Sequence, residues 1–336
     1  RELKAVVQAH RANWGSAVLL DAKNGDILAL VNRPSYNPNN RATLNAKEMR
    51  NRALTDMVEP GSTMKAFTVA AALSGGKYTA DSVINTSPGY MRIQRKTIRD
   101  HRDYGLMSLT KIITKSSNIG VAKLAHDMGA EKLWDMLYSA KLGQATALGF
   151  PGEALGHLPY PQSLDDLGLA TLSYGYGLSV TPLQLAQAYT AFANNGCLQE
   201  ARLILNNIKT PCSQIMPESV AQEMTHMLET VTQKGGTGTR AKVAGYRVGG
   251  KTGTAHKVGQ GGYEDSAYSA VFAGIAPISD PRFVLVVVID QPKGQEYYGG
   301  EVAAPVFARI MEEALRTLQI APDQSQDYKM AEVYSL

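Results

Sequence analysis

The sequence predicts a mixed α/β protein, an α+β layered fold in which an antiparallel β-sheet is flanked by helices and carries an inserted all-helical subdomain. Strand patterns lie toward both ends of the 336-residue chain, and helical periodicity fills the stretch between them. No internal repeat or low-complexity linker divides it into independent units.

The first strand signal is a pair of apolar runs, residues 17–20 and 27–31, on either side of Asn24-Gly25, a dipeptide that favours a tight hairpin. A second strand-rich block spans 246–290, through 271–276 and the seven-residue apolar run 283–289, with turns at Pro277 and at Asp280-Pro281. Such short connections favour antiparallel pairing. Between the blocks, apolar residues recur at three- and four-residue spacing in 64–73, 119–128, 131–142 and 183–193, and Gly75, Gly129, Gly143 and Gly196 follow as helix stops. Residues 304–318 read as one more amphipathic helix. The expected organisation is one domain over 1–321, with a helical subdomain at approximately 62–230 between hairpin and C-terminal strands, and a polar tail over 322–336.

Composition narrows the function classes. With 44% hydrophobic, 19% charged and 7% aromatic residues, the chain has the content of a folded globular protein. A net charge of +4, from 34 Lys plus Arg against 30 Asp plus Glu, is too small to argue for a nucleic-acid partner and suits an anionic small substrate. Seven consecutive apolar residues fall far short of the ~18 that a membrane-spanning helix needs. Arg1 in first position, with no apolar leader after it, leads us to expect a processed or trimmed piece. Cys197 and Cys212 lie 15 positions apart, and are read either as one bridge made in an oxidising compartment or as two ordinary thiols. Six dispersed histidines without H-E-x-x-H or C-x-x-C give no reason to expect a metal or cofactor.

Three short motifs carry chemistry. Ser62-Thr63-Met64-Lys65 follows Glu59-Pro60-Gly61 and opens a helix, which puts Ser62 and Lys65 on one face within reach of each other. A serine hydroxyl is a weak nucleophile until a base takes its proton, and a desolvated, neutral lysine can be that base. Ser116-Ser117-Asn118 follows 54 residues after Ser62, and Lys251-Thr252-Gly253-Thr254 lies in the strand block. Taken singly, each has a plainer reading as a helix cap, a solvated lysine or a strand end. The hydroxyls and amine of the third motif suit a carboxylate, and Gly253 permits close approach of a ligand to the backbone.

In this order and at these separations, S-x-x-K, S-x-N and K-T-G resemble the signature of serine β-lactamases and penicillin-binding proteins. Arg50-Asn51-Arg52-Ala53, Gly235-Gly236-Thr237-Gly238-Thr239, Tyr297-Tyr298-Gly299-Gly300 and Ala304-Pro305-Val306-Phe307 narrow the resemblance to class B penicillin-binding proteins of the division-specific, septal kind (penicillin-binding protein 3 type). The resemblance covers nearly the whole chain.

It implies a peptidoglycan D,D-transpeptidase that cross-links stem peptides through a Ser62 acyl-enzyme and is acylated by β-lactam antibiotics. Lys65 is the implied acylation base, Ser116 a proton relay tuned by Lys251, and Asn118 a partner of the substrate amide. Thr252 and Thr254 would hold the substrate carboxylate, and the backbone N–H groups of Ser62 and Thr254 the oxyanion. Tyr297 and Tyr298 are either a wall of the cleft or packing beneath the strand end. His256 stands where relatives carry a basic residue, and Arg92, Arg95, Lys96, Arg99 and Arg102 face either the glycan-peptide strand or solvent. Neither Glu131 nor Glu153 lies in the E-x-x-L-N setting of one lactamase class, which implies slow deacylation. The competing functions are a D,D-carboxypeptidase and a non-enzymatic β-lactam sensor. By the same resemblance the parent protein is anchored by an N-terminal transmembrane helix at the periplasmic face of the inner membrane. Its divisome partners would be met through segments absent from this chain.

Overall fold

The computed structural model describes residues 1–324 apart from Arg41, Thr43, Ala147, 205–211 and 260–261. Most of the expected polar tail therefore lies outside the described residues. Five antiparallel strands form the central sheet: β1 (Trp14–Asp21), β2 (Ile27–Arg33), β3 (Gly249–Gly259), β4 (Gly262–Ala276) and β5 (Phe283–Asp290), in the order β2-β1-β5-β4-β3. The hairpin from the start of the chain thus pairs with the strand block near its end, Trp14 opposite Asp290 and Asp21 opposite Phe283.

The unbroken apolar run of β5 follows from its central place, because a strand covered on both faces has no polar side to present. Val284, Val286 and Val288 enter one core, which the helices share, while Phe283, Leu285, Val287 and Ile289 enter a second on the opposite face. In β4 the same alternation sends Val271, Ala273 and Ile275 to the first core and Ala270, Phe272 and Ala276 to the second. The second core is closed by α1 (Glu2–Ala9) and by the C-terminal helix α9 (Ala304–Thr317).

Between β2 and β3 lie α2 (Lys65–Ser74), α3 (Leu109–Lys115), α4 (Asn118–Met128), α5 (Ala130–Ser139), α6 (Asp166–Ser173), α7 (Pro182–Ala193) and α8 (Glu218–Thr232). α7 is buried along its whole length and packs against β1 and β5. Its start is specified locally: Pro182 fits the first helical position, and Thr181 and Gln184 form a reciprocal capping box. α2 ends as expected, although Gly75 keeps a right-handed conformation (φ −73°) and the left-handed residue is Gly76 (φ 71°). Helices α1, α6 and α8 were not expected from the sequence. Cys197 and Cys212 form a disulfide beside a two-stranded ribbon (Cys197–Leu198 with Ser213–Gln214), which decides between the two readings of that pair. Among the described residues no helix is long and apolar enough to cross a membrane.

Candidate active site

Ser62 lies in a 3₁₀ turn, Gly61–Met64, that runs directly into α2. The turn is held from below: Gly61 N–H donates to Gly175 O (3.1 Å), and the Tyr189 hydroxyl donates to Thr63 O (2.8 Å). Gly175 is left-handed (φ 90°), and a Cβ there would stand 2.0 Å from Gly61 O, so no other residue fits. Ser62 itself is half-buried and opens onto a cleft of about 760 Å³.

Lys65 is fully buried one turn on, and its Nζ donates to Ser116 O (2.5 Å), Ser116 Oγ (3.1 Å) and Asn118 Oδ1 (2.7 Å). Here the structure differs from the expectation of a direct Ser62–Lys65 pair. Among the described residues Lys65 makes no hydrogen bond to Ser62 Oγ, because the S-x-N turn already engages the amine. Ser116 caps α3 in the left-handed region (φ 61°, ψ 45°), a place usually given to glycine or asparagine. Its amide and that of Ser117 close the helix onto Ile113 O and Ile112 O. Non-glycine residues held in this region gather at functional sites, and here the turn brings Ser116 O to Lys65.

Lys251, also fully buried, reaches the same hydroxyl from β3: its Nζ donates to Ser116 Oγ (2.9 Å) and Thr252 O (3.3 Å). Two amines from distant stretches of chain thus meet at one serine. Burial first, and then the neighbouring Lys251, hold Lys65 well below the usual lysine range, against the pull of the Asp100 carboxylate. Burial lowers Lys251 to about 7.

On β3, Thr252 Oγ1 lies 2.8 Å from Thr237 Oγ1, and Thr254 Oγ1 accepts from Gly299 N (2.9 Å). The Gly235–Gly236 loop and the Tyr297-Tyr298-Gly299-Gly300 segment therefore position the two hydroxyls. Gly253 also makes a contact that the sequence did not suggest. A Cβ there would lie 2.6 Å from Pro60 O and 3.1 Å from Thr63 Cγ2, so what approaches its backbone is the chain's own serine turn. The tyrosines line the cleft in a row of rings: Tyr268 stacks on Tyr297 (4.5 Å between centroids), which contacts Tyr298 (4.4 Å), with His256 against Tyr268 (4.6 Å). Of the basic run, all five members are exposed and only Arg99 lines the cleft.

Asp100, Tyr176 and Tyr268 also line the cleft and were missed from the sequence, since no local pattern marks them, while Thr237 lines it from within the glycine-rich motif, which gave no role for its side chain. Asp100 accepts from Ser117 Oγ (2.5 Å), Asn118 N (2.6 Å) and Ile119 N (3.2 Å). Among the described residues no three His, Cys, Asp or Glu side chains gather as a metal site requires.

An antiparallel sheet with a helical layer threaded between its second and third strands, and a cleft at their junction where serine, amine and hydroxyl groups converge, defines the class of penicillin-recognising serine proteins. Residues 15–312 match the model of the penicillin binding protein transpeptidase domain, and the chain belongs to that family. It is 46% identical over 323 residues to the peptidoglycan D,D-transpeptidase FtsI of Escherichia coli strain K12, an alignment covering 96% of this chain and 55% of that protein. Identity to the probable peptidoglycan D,D-transpeptidase PbpC of Pseudomonas aeruginosa is 43% over 327 residues, covering 97% and 58%. The chain thus spans somewhat over half the length of these relatives. Among solved structures, the transpeptidase domain of Burkholderia pseudomallei penicillin-binding protein 3 superposes with a TM-score of 0.88 at 40% identity, over 96% of this chain and 94% of that one.

Proposed function

We propose that this chain is a serine-type D-Ala-D-Ala transpeptidase that cross-links peptidoglycan stem peptides during septal wall synthesis, with Ser62 as nucleophile. The observation that supports it most is the chain Lys65–Ser116–Lys251, two buried amines sharing one hydroxyl at the floor of a cleft that Ser62, Thr252 and Thr254 line.

In this reading Ser62 Oγ attacks the penultimate D-alanyl carbonyl, passing its proton to neutral Lys65, and the tetrahedral intermediate expels D-alanine to leave the ester. A neutral amine has two N–H groups and one lone pair. On losing its third proton Lys65 gives up the donor bond to Ser116 Oγ, keeps its two N–H groups on Ser116 O and Asn118 Oδ1, and has its lone pair free for a hydroxyl. Ser116, bridged to Lys251, relays the proton to the leaving amine. Asn118 binds the substrate amide, Thr252 and Thr254 its carboxylate, and the N–H groups of Ser62 and Thr254 the oxyanion. Gly253 lets β3 close on the serine turn, and Tyr297 and Tyr298 wall the acyl-donor cleft. An amine from a second stem peptide then attacks the ester. A β-lactam enters as the donor does. The carboxylates lining the cleft, Asp100 and Glu301, already accept backbone amides, which favours slow hydrolysis of its adduct.

Residues 1–321 act in this proposal as one transpeptidase domain, with 62–230 as its helical subdomain and 322–336 as a tail. Its setting is the periplasmic face of the inner membrane, among divisome proteins. The test is mass spectrometry after incubation with penicillin. A long-lived adduct of intact-drug mass on the peptide containing Ser62 supports the reading, while rapid turnover with hydrolysed drug identifies a lactamase. Incubating a pentapeptide donor with and without an amine acceptor separates transfer from carboxypeptidase action.

A further inference from the structure

We propose that Asp100 is the positioning residue of this site: its carboxylate locks the Ser116–Asn118 turn against Lys65 and places one negative charge opposite the two buried amines. The inference rests on the acyl-enzyme reading above. Asp100 follows the short strand Lys96–Arg99 and lines the cleft. It takes three donors at the start of α4: Ser117 Oγ, Asn118 N and Ile119 N. The preceding residue's carbonyl, Arg99 O, takes Asn118 Nδ2 at 2.9 Å. Asn118 is therefore fixed through backbone and side chain by two adjacent residues, which aims its Oδ1 at Lys65.

Capping alone does not account for this. Ser117 Oγ already accepts from Gly120 N (2.9 Å) as the N-cap of α4, yet a carboxylate 17 residues earlier is directed at the same turn. The charged groups acting on Lys65 are Lys251, from β3, and Asp100, just past the strand Lys96–Arg99; α3 and α4 contribute the neutral Ser116 and Asn118. Arg99 and His101 flank Asp100 on the exposed cleft rim. The carboxylate favours the protonated amine, so Asp100 limits how far burial and Lys251 depress Lys65. Asp100 thus sets both the geometry of the relay and the pH at which the base becomes neutral.

The experiment is the pH dependence of acylation by a fluorescent penicillin, measured on wild type, Asp100→Asn, Asp100→Glu and Ser117→Ala. Asp100→Asn should lower the plateau rate between about 10- and 100-fold and move the acid limb about one unit toward lower pH, because Lys65 then stays neutral further down. Asp100→Glu and Ser117→Ala keep the charge, so they should lose rate without moving the limb. A limb that stays put in a folded Asp100→Asn protein, or a plateau within twofold of wild type, overturns the proposal. If Asp100→Asn does not fold, Asp100→Glu and Ser117→Ala decide it: rates within twofold of wild type refute the positioning role. Wild type that forms no adduct would instead refute the acyl-enzyme reading.

Discussion

At the scale of single residues, the site is set by what burial does to amines. Removing Lys65 as Lys65→Ala should cost about 10² to 10⁴ in the rate of penicillin acylation. Lys65→Arg should not restore it, because a guanidinium stays protonated; stopped-flow fluorescence reads both. Lys251 carries a stability signature as well. Its folded-state pKa of about 7 lies below the ordinary lysine value of 10.5, so between those values the unfolded chain binds a proton that the folded chain lacks. Stability therefore rises with pH across that window. Denaturant titrations should show wild type gaining on Lys251→Met from pH 7 to pH 10, with no further change below about 7. The nucleophile, the amines and S-x-N were legible because each is a short local motif. Asp100 was not, because its role depends on contacts 17 residues away that no periodicity reveals, and Thr237 was legible only as part of the glycine-rich motif, its contact with Thr252 lying 15 residues away.

At the scale of elements, the cleft exists because β3 lies against the serine turn. Gly253→Ala would drive a Cβ to 2.6 Å from Pro60 O, backbone that cannot swing aside, so it should depress acylation while sparing most of the folded signal in circular dichroism. Reducing the Cys197–Cys212 bridge should lower stability by at most about 3 kcal/mol, the scale for a closed loop of this length, in denaturant melts with and without reductant. Strands β1, β2, β4 and β5 and helices α2, α4, α5, α7 and α9 were readable from period and turn residues. α6 is short and opens Asp-Leu-Gly, with a glycine in its first turn that weakens any helical pattern. α8 buries Val220, Ala221, Met224, Met227, Leu228 and Val231, an apolar stripe at helical spacing. The serine turn differs again: it forms a 3₁₀ turn ahead of α2, which sequence periodicity does not distinguish from a first helical turn.

At the scale of the whole molecule, β5 joins the two cores, so they should not melt separately. Leu285→Ala on one face, at about 2 to 5 kcal/mol, and Val286→Ala on the other, at about 2 kcal/mol, should each shift a single calorimetric transition. Two resolved transitions would show that the layers unfold independently. The pairing of β1 with β5 bears on biogenesis too. Trp14 and Asp290 stand opposite one another yet are separated by 276 positions (290 minus 14). At a ribosome's ~5–20 residues per second, the first hairpin emerges roughly 14 to 55 s before its central neighbour exists. Throughout that interval an apolar strand edge has nothing to zip onto, so the nascent polypeptide is the form most in need of a chaperone's cover.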